Sequence, residues 1–283
     1  MRVLVLGASG MLGSSMLRVM SDRAGWTVYG TLRADNGALR LLAPSAHLLC
    51  QVNAEKNDSL LESFMLSRPD IVVNCVGLVK QVAVGEDPLE AIPINSLFPH
   101  RLAKMCELVN ARLIHVSTDC VFSGRTGNYS ERDIPDATDI YGRSKLLGEV
   151  DYPHTITLRT SIIGHELSGN RSLIGWLMAQ QGHVSGYSKA FFSGLPTCEL
   201  ARLICDFVVP HPALHGVYHV GAKRISKYDL LQLVCHEYGK DLHLNKDDTV
   251  KIDRSLDSSR FFTATGYIAP TWIDLITQMK KFR

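Results

Sequence analysis

The chain opens Met1-Arg-Val-Leu-Val-Leu-Gly7-Ala-Ser-Gly10-Met-Leu-Gly13, and this stretch decides how the rest is read. Residues 3–6 form a short, unbroken apolar run rich in branched aliphatic side chains, the pattern of a central parallel strand covered on both faces. Gly7, Gly10 and Gly13 follow at once. Met16, Leu17 and Met20 then fall at helical spacing, so the glycines occupy a strand-to-helix turn. In that context a glycine-rich loop reads as a dinucleotide site. Glycine permits the tight turn and lets backbone N–H groups from Gly7 through Ser9, Gly10, Met11, Leu12 and Gly13 approach a pyrophosphate, while the helix N-terminus adds partial positive charge. An ordinary βα turn is the plainer alternative.

Composition narrows the field. With 283 residues, 46% of them hydrophobic, the chain can bury one large core or divide into a main domain and a smaller lobe. A net charge of +2 is too small to argue for nucleic acid or an anionic membrane surface. No apolar run approaches the ~20 residues of a spanning helix, and the glycines interrupt anything resembling a secretory signal. Seven cysteines without a Cys-x-x-Cys pair suit reduced thiols, mostly in the core, of a cytoplasmic protein. The sequon at Asn128 carries no meaning in that compartment.

Strand-like runs at 3–6, 27–29, 47–50, 71–74, 113–117 and 155–158 alternate with helix-like runs, which predicts a doubly wound parallel α/β sheet of the Rossmann type. Residues 1–160 form the dinucleotide-binding domain in this reading. Residues 161–283 form mainly a smaller C-terminal substrate lobe, loop-rich over 164–196, with a strand near 217–220 rejoining the main sheet. Ile94, Leu97, Phe98, Leu102, Met105, Leu108 and Val109 predict one amphipathic helix with a single buried face, started or bent by Pro93 and Pro99. Residues 228–238 and 272–279 predict two more packed helices.

The second strand ends at Tyr29-Gly-Thr-Leu-Arg33 without an acidic residue. An acid there accepts from the ribose 2′-OH of NAD, whereas an arginine suits the 2′-phosphate of NADP, so Arg33 favours NADP with NAD as the alternative. A solvated loop cation is the plainer use of Arg33. Asn53 after the third strand, and Cys75, Val76 and Gly77 after the fourth, lie at carboxyl strand ends that face a ligand in this fold. Asn53 is placed to meet the adenine edge and Gly77 to let the backbone pass close to the cofactor; ordinary turn chemistry is the competing use.

The fifth strand presents Ser117, Thr118 and Asp119 at its carboxyl end. Farther on, Tyr141 and Lys145 are four apart in a helix-like segment and project from one face. Tyr141 is the only one of nine tyrosines with a lysine four residues on. An ammonium ~4 Å from a phenolate is worth about 4 kcal/mol at an effective dielectric of ~20, which would bring a tyrosine toward neutral-pH proton transfer. Thr118 is placed to polarise a reacting carbonyl.

The glycine spacing resembles that of the short-chain dehydrogenase/reductase superfamily, in particular its extended branch acting on nucleotide sugars. Ser117-Thr-Asp-Cys-Val-Phe-Ser-Gly124, Tyr141-Gly-Arg-Ser-Lys-Leu-Leu-Gly-Glu149, Arg159-Thr-Ser and Gly216-Val-Tyr-His-Val220 sharpen this into a resemblance to the dTDP-4-dehydrorhamnose reductase family. The resemblance implies a catalytic triad of Thr118, Tyr141 and Lys145. It also implies reduction by NADPH of a 4-keto group on a nucleotide-linked deoxysugar, with Lys145 lowering the Tyr141 pKa and binding the nicotinamide ribose. Asp119-Cys120 differs from the Asp-Glu of related dehydratases. Cys120 and Ile162 stand where the rhamnose enzyme has aromatics near the sugar, so another deoxysugar or an amino-sugar is at least as well supported a substrate as dTDP-4-dehydrorhamnose.

Lys80, Asp119 and Arg171 are substrate-binding candidates, and resemblance to the family's late Arg/Ser segment implies Arg254, beside Ser255, as another, the arginines for the diphosphate; an exposed cation or a helix-cap segment is the plainer use of these residues. His211, His215 and His219 alternate in and beside a strand with no carboxylate cluster, so they read as surface or core histidines and no metal is expected. Two rival readings share the same core: a nucleotide-sugar epimerase or epimerase-reductase, and a dinucleotide-binding regulatory subunit without catalysis. Neither nucleic acid nor membrane is an expected partner, and a homodimer stays open.

Overall fold

The computed structural model describes residues 1–79 and 86–283. The elements run β1 (Arg2–Leu6), α1 (Met11–Ser21), β2 (Thr27–Thr31), α2 (Gly37–Leu42), β3 (His47–Leu49), α3 (Asn57–Ser67), β4 (Ile71–Asn74), α4 (Pro88–Ala91), α5 (Phe98–Leu108), β5 (Arg112–Thr118), α6 (Ile140–Leu147) and β6 (Thr155–Thr160). The remainder comprises β7 (Ile162–Ile163), α7 (Leu173–Ala179), β8 (His183–Tyr187), β9 (Ala190–Phe192), β10 (Leu195–Pro196), α8 (Thr197–Leu203), β11 (Gly216–His219), β12 (Ile225–Ser226), α9 (Lys227–Tyr238), β13 (His243–Asp247), β14 (Ile252–Asp253), α10 (Ser259–Thr265) and α11 (Trp272–Lys281).

Seven strands form one sheet in the order β11-β6-β5-β4-β1-β2-β3, every pair parallel. This is a doubly wound Rossmann sheet, because the chain runs outward from β1 to β3 and then returns past β1 to build the other side. Strand alternation divides the core. Val3 and Val5 face a cluster built on α1, α8, α9 and α11, whereas Leu4 and Leu6 face one built on α3 and α5. Both faces are covered, which explains why β1 and β4 read as continuous apolar runs.

The span 164–196 holds α7 and three short strands, so it is more regular than a loop-rich segment. Three small sheets result: β10 with β7, β13 with β8, and β12-β9-β14. Their strands escape a pattern search because most are two to three residues long. No helix among the described residues is long and apolar enough to cross a membrane.

The segment before β5 corrects the single-helix expectation. A π turn at Ile92–Leu97 joins α4 to α5, closed by the Phe98 N–H donating to the Pro93 carbonyl. Pro99 has no N–H to return to the Asn95 carbonyl four residues back, so the regular ladder breaks here. The extra residue in the turn rotates the faces. Asn95 and Ser96 become buried, while Leu97, Leu108 and Val109, expected in the core, are exposed.

The glycine turn is built by contact. Gly7 has φ +76°, donates its N–H to Thr31 Oγ1 at 3.1 Å, and touches Val76 and Cys75. A Cβ on Gly13 would lie 2.1 Å from the Gly7 carbonyl oxygen, so only glycine lets α1 approach β1 this closely. Gly13→Ala should therefore force the helix off the strand, at a cost of about 1–3 kcal/mol. A thermal melt should show a drop of several degrees, at roughly 2–4 °C per kcal/mol for a larger domain, together with weakened dinucleotide binding by calorimetry.

Candidate active site

Four carboxyl strand ends converge on one rim. Gly7 follows β1, Thr31 ends β2, Cys75-Val76-Gly77 follows β4, and Thr118 ends β5. Helix α1 begins at Met11 after Gly10, whose glycine provides no side-chain cap, and Ser9 and Gly10 are exposed. The first-turn N–H groups therefore point at the rim with no side chain satisfying them, the arrangement that receives an anion. This cradle fits a dinucleotide pyrophosphate, and a side chain at Gly7 would close it against Val76.

The peripheral cofactor candidates divide. Arg33 is exposed just past β2, and Asp35, the nearest acid, is taken by Arg40 at 2.9 Å. Asn53 performs turn chemistry: its Oδ1 accepts from the Glu55 N–H at 3.0 Å, and its N–H donates to Ser59 Oγ at 3.1 Å. The Cys75 N–H continues the β1–β4 ladder to the Leu6 carbonyl, and the Val76 N–H donates to Asn74 Oδ1 at 3.0 Å.

Helix α6 is held against β5 from three sides. Asp139 caps it, accepting from the Gly142 N–H at 2.8 Å. Gly142 sits so close to the Cys120 carbonyl that a Cβ would fall 2.3 Å from its oxygen. Lys145 is buried and donates from Nζ to the Val116 carbonyl at 2.9 Å. Thr118 accepts the Cys120 N–H at 3.1 Å, capping the single 3₁₀ turn Asp119–Val121. Thr118, Tyr141 and Lys145 are thus brought together at one strand end.

Burial governs their ionisation. Desolvation pushes the Lys145 pKa down to about 8, opposed by Glu149 and Cys75. It raises Tyr141 above its ordinary value, reinforced by Cys120, Asp119 and Asp139 and opposed by the Thr118 hydrogen bond. The expected depression of Tyr141 by Lys145 is corrected here, because the ammonium is spent on the Val116 carbonyl and desolvation outweighs it. Cys75 and Cys120 are both pushed up to about 12, chiefly by burial, so both thiols are protonated at neutral pH. Asp119 is also raised by burial, opposed by Arg254 and Lys227.

Several residues that matter were not singled out in the sequence. Asn95, turned inward by the π turn, accepts the Leu78 N–H at 2.9 Å and donates to the Leu78 carbonyl and to Ser144 Oγ, both at 3.2 Å. It ties the Gly77 loop to α6, and Ser96 adds a 2.8 Å bond to the Ser144 carbonyl. The two prolines flanking Asn95 were its signal. Beneath the site, Arg159 and Glu149 form a buried bidentate pair, Nη2–Oε2 2.6 Å and Nε–Oε1 2.8 Å. Ser117 donates to the same carboxylate at 2.7 Å.

His219 completes the network. Its Nδ1 lies 2.9 Å from the Tyr129 carbonyl and must donate, which leaves Nε2 to accept from Arg159 Nη1 at 3.2 Å. The imidazole is neutral, its pKa lowered to about 4 by burial and by Arg159. His219 is thus a core residue; His211 bonds the Phe207 carbonyl and His215 is exposed. Among the described residues no cluster suited to a metal ion occurs.

Of the substrate candidates, Asp119 is buried and Arg254 donates to the Phe122 carbonyl at 2.8 Å. Ser255 is buried and receives the Asn128 N–H at 2.9 Å. Arg171 is exposed before α7, its backbone N–H bonded to Glu166 at 2.9 Å. Lys80 lies outside the described residues.

The model of the RmlD substrate binding domain matches residues 1–257. The chain belongs to this family. A dTDP-4-dehydrorhamnose reductase of Aggregatibacter actinomycetemcomitans is 28% identical to this RmlD-family chain over 245 residues, covering 81% of the chain and 76% of the relative. Methionine adenosyltransferase 2 subunit beta of Xenopus tropicalis is 26% identical over 242 residues, 81% and 70% of the two chains. The crystal structure of dTDP-4-dehydrorhamnose reductase from Bacillus anthracis in complex with NADP superposes with a TM-score of 0.79 at 18% identity, covering 100% and 99%, a likeness of fold.

The Glu149–Arg159 pair in this RmlD-family chain gives a stability prediction. Breaking a buried ion pair by removing one partner leaves an uncompensated charge and costs about 3–5 kcal/mol. Arg159→Met should lose that much in denaturant unfolding, and adding Glu149→Leu should recover part of it.

Proposed function

We propose that the protein is an NADPH-dependent reductase of a 4-keto group on a nucleotide-linked deoxysugar. The observation that carries this reading is the meeting of Thr118, Tyr141 and Lys145 at the end of β5, on the same rim as the uncapped glycine turn. Gly7, Ser9, Gly10, Met11, Leu12 and Gly13 would hold the pyrophosphate, Arg33 the 2′-phosphate, and Cys75, Val76 and Gly77 the nicotinamide half. Residues 161–283 contribute mainly to the sugar nucleotide. Bound nicotinamide supplies the hydride that reaches the ketone carbon.

Thr118 holds the ketone oxygen, and Tyr141, kept as a neutral phenol by its burial, gives that oxygen its proton as the hydride arrives. The alcohol forms with one hydride and one proton, leaving Tyr141 as phenolate. The Lys145 ammonium attracts the phenolate but not the neutral phenol, so its attraction to Tyr141 is greater in the transition state than in the ground state. Lys145 would also donate to the nicotinamide ribose of the bound cofactor. Tyr141→Phe should lower kcat by about 10²–10⁴-fold, with NADPH affinity unchanged by calorimetry; full turnover of a 4-keto nucleotide sugar by this variant would refute the assignment.

The lowered Lys145 pKa fixes a pH dependence. Below about 8 the ammonium is present and able to donate to a bound ribose; above it the proton is lost. NADPH affinity should weaken as pH rises through about 8, and Lys145→Met should bind weakly with that dependence removed. Because a depressed lysine costs stability below its folded pKa and the cost fades between about 8 and the ordinary 10.5, Lys145→Met should not lower the melting temperature at neutral pH.

The similarity to methionine adenosyltransferase 2 subunit beta favours a second reading, a dinucleotide-binding subunit that does not catalyse. Tight NADPH binding without turnover across a panel of nucleotide 4-keto-6-deoxysugars would favour it.

A further inference from the structure

The small sheet β12-β9-β14 places two cations that a linear reading separates. Ile225 pairs with Phe192 and Ser226 with Phe191 on one side of β9, while Ile252 pairs with Ala190 and Asp253 with Phe191 on the other. Lys227 and Arg254, each one residue beyond its strand, therefore flank β9. Lys227 Nζ lies 5.3 Å from the Phe192 ring centre, and Arg254 is anchored on the Phe122 carbonyl just past the 3₁₀ turn that follows Thr118. Both cations act on buried Asp119, the residue after Thr118.

The charges at this spot do not balance. Asp119 supplies one negative charge against two positive ones. Cys120 is a protonated thiol and adds none. Asp253 is engaged by Arg224 at 2.7 Å and by Ser255 at 2.6 Å. One positive charge is left partly buried at the wall of the site, beside the residue that positions the ketone. An unbalanced buried cation is costly unless a ligand answers it.

We propose that Lys227, acting with Arg254, holds the phosphate bonded to the sugar of the nucleotide-linked substrate and is a specificity-determining residue. This rests on the reductase reading for what the sugar carries. In a pyranose the anomeric oxygen lies across the ring from C4, so with the ketone on Thr118 the sugar would span from the strand end to this wall and present its phosphate to the two cations. Arg254 was legible as an arginine near a diphosphate; Lys227 becomes visible only through the strand pairing.

The test is calorimetric titration of the full chain with nucleoside diphosphates and monophosphates, dTDP against dTMP and UDP against UMP, in the presence of NADP. Lys227→Met, which keeps the packing on Phe192, and Lys227→Gln are compared with Lys227→Arg, each alongside a melting curve. Loss of one charge-assisted contact should weaken diphosphate binding about tenfold or more in the Met and Gln variants and leave the monophosphate almost unchanged, with Arg restoring most of the loss. Equal effects on the two ligands, or none, would overturn the proposal. So would a wild-type protein that reduces 4-keto sugars yet binds no nucleoside diphosphate. If diphosphate binding depends on Lys227 but no 4-keto sugar is turned over, the proposal stands and the reductase reading fails.

Discussion

The bidentate contact between Arg159 and Glu149 is the constraint on which the site depends. Arg159 belongs to β6 and Glu149 lies two residues beyond α6, so the pair fastens the helix carrying Tyr141 and Lys145 to the sheet carrying Thr118. Two buried ions offset their own desolvation only when every polar atom finds a partner. Here they do: Ser117 fills the remaining site on the carboxylate, His219 accepts the third guanidinium contact, and Tyr129 accepts from His219. The guanidinium also lies 5.3 Å from the Phe122 ring centre, and Phe122 stacks on Tyr129 at 4.2 Å. The network thus joins β5, β6, β11 and the loop after the 3₁₀ turn, which are the walls around the reacting groups.

Desolvation, more than any single charge, sets the chemistry of the rim. Lys145, Tyr141, Cys75, Cys120 and Asp119 all shift toward their neutral forms. Lys145 is the one brought close to neutral pH, and it keeps its proton by leaning on a backbone carbonyl. His115 follows the same rule one strand position below: it is fully buried, bonds Asn74 at 3.1 Å, and has its pKa held well below 6.5 by burial and by Lys145.

Most of the main sheet was legible because parallel strands covered on both faces leave unbroken apolar runs, as at β1 and β4. The glycine turn and the Tyr141–Lys145 spacing were legible because each is local. What stayed hidden depends on contacts between distant residues. The inward turn of Asn95 follows from a π turn that Pro93 and Pro99 mark but do not specify. The Arg159–Glu149–His219 network spans three elements and looks in sequence like unrelated polar residues. Lys227 precedes a clear amphipathic helix and is indistinguishable there from a surface cation. The Tyr141 ionisation was misjudged because spacing reveals the nearby lysine but not the depth of burial.

The two kinds of hidden residue differ in what they serve. Reaction geometry is held by the long parallel strands and by α6, whose positions are set by seven-strand pairing and two large apolar clusters. The substrate wall is built instead largely on strands of two or three residues, tied to the loop after the 3₁₀ turn by the Asp253 N–H to the Gly124 carbonyl, Asn128 to Ser255, a bridge between Tyr129 and Leu256, and Arg254 to Phe122. Side chains such as Cys120, Ile162 or Lys227 lie outside the long parallel strands and α6, so they can be exchanged while those elements keep Thr118, Tyr141 and Lys145 in place. Substrate choice can therefore diverge within this family while the proton-transfer geometry stays fixed, which is why the departures at Cys120 and Ile162 leave the reductase reading intact and bear only on the sugar.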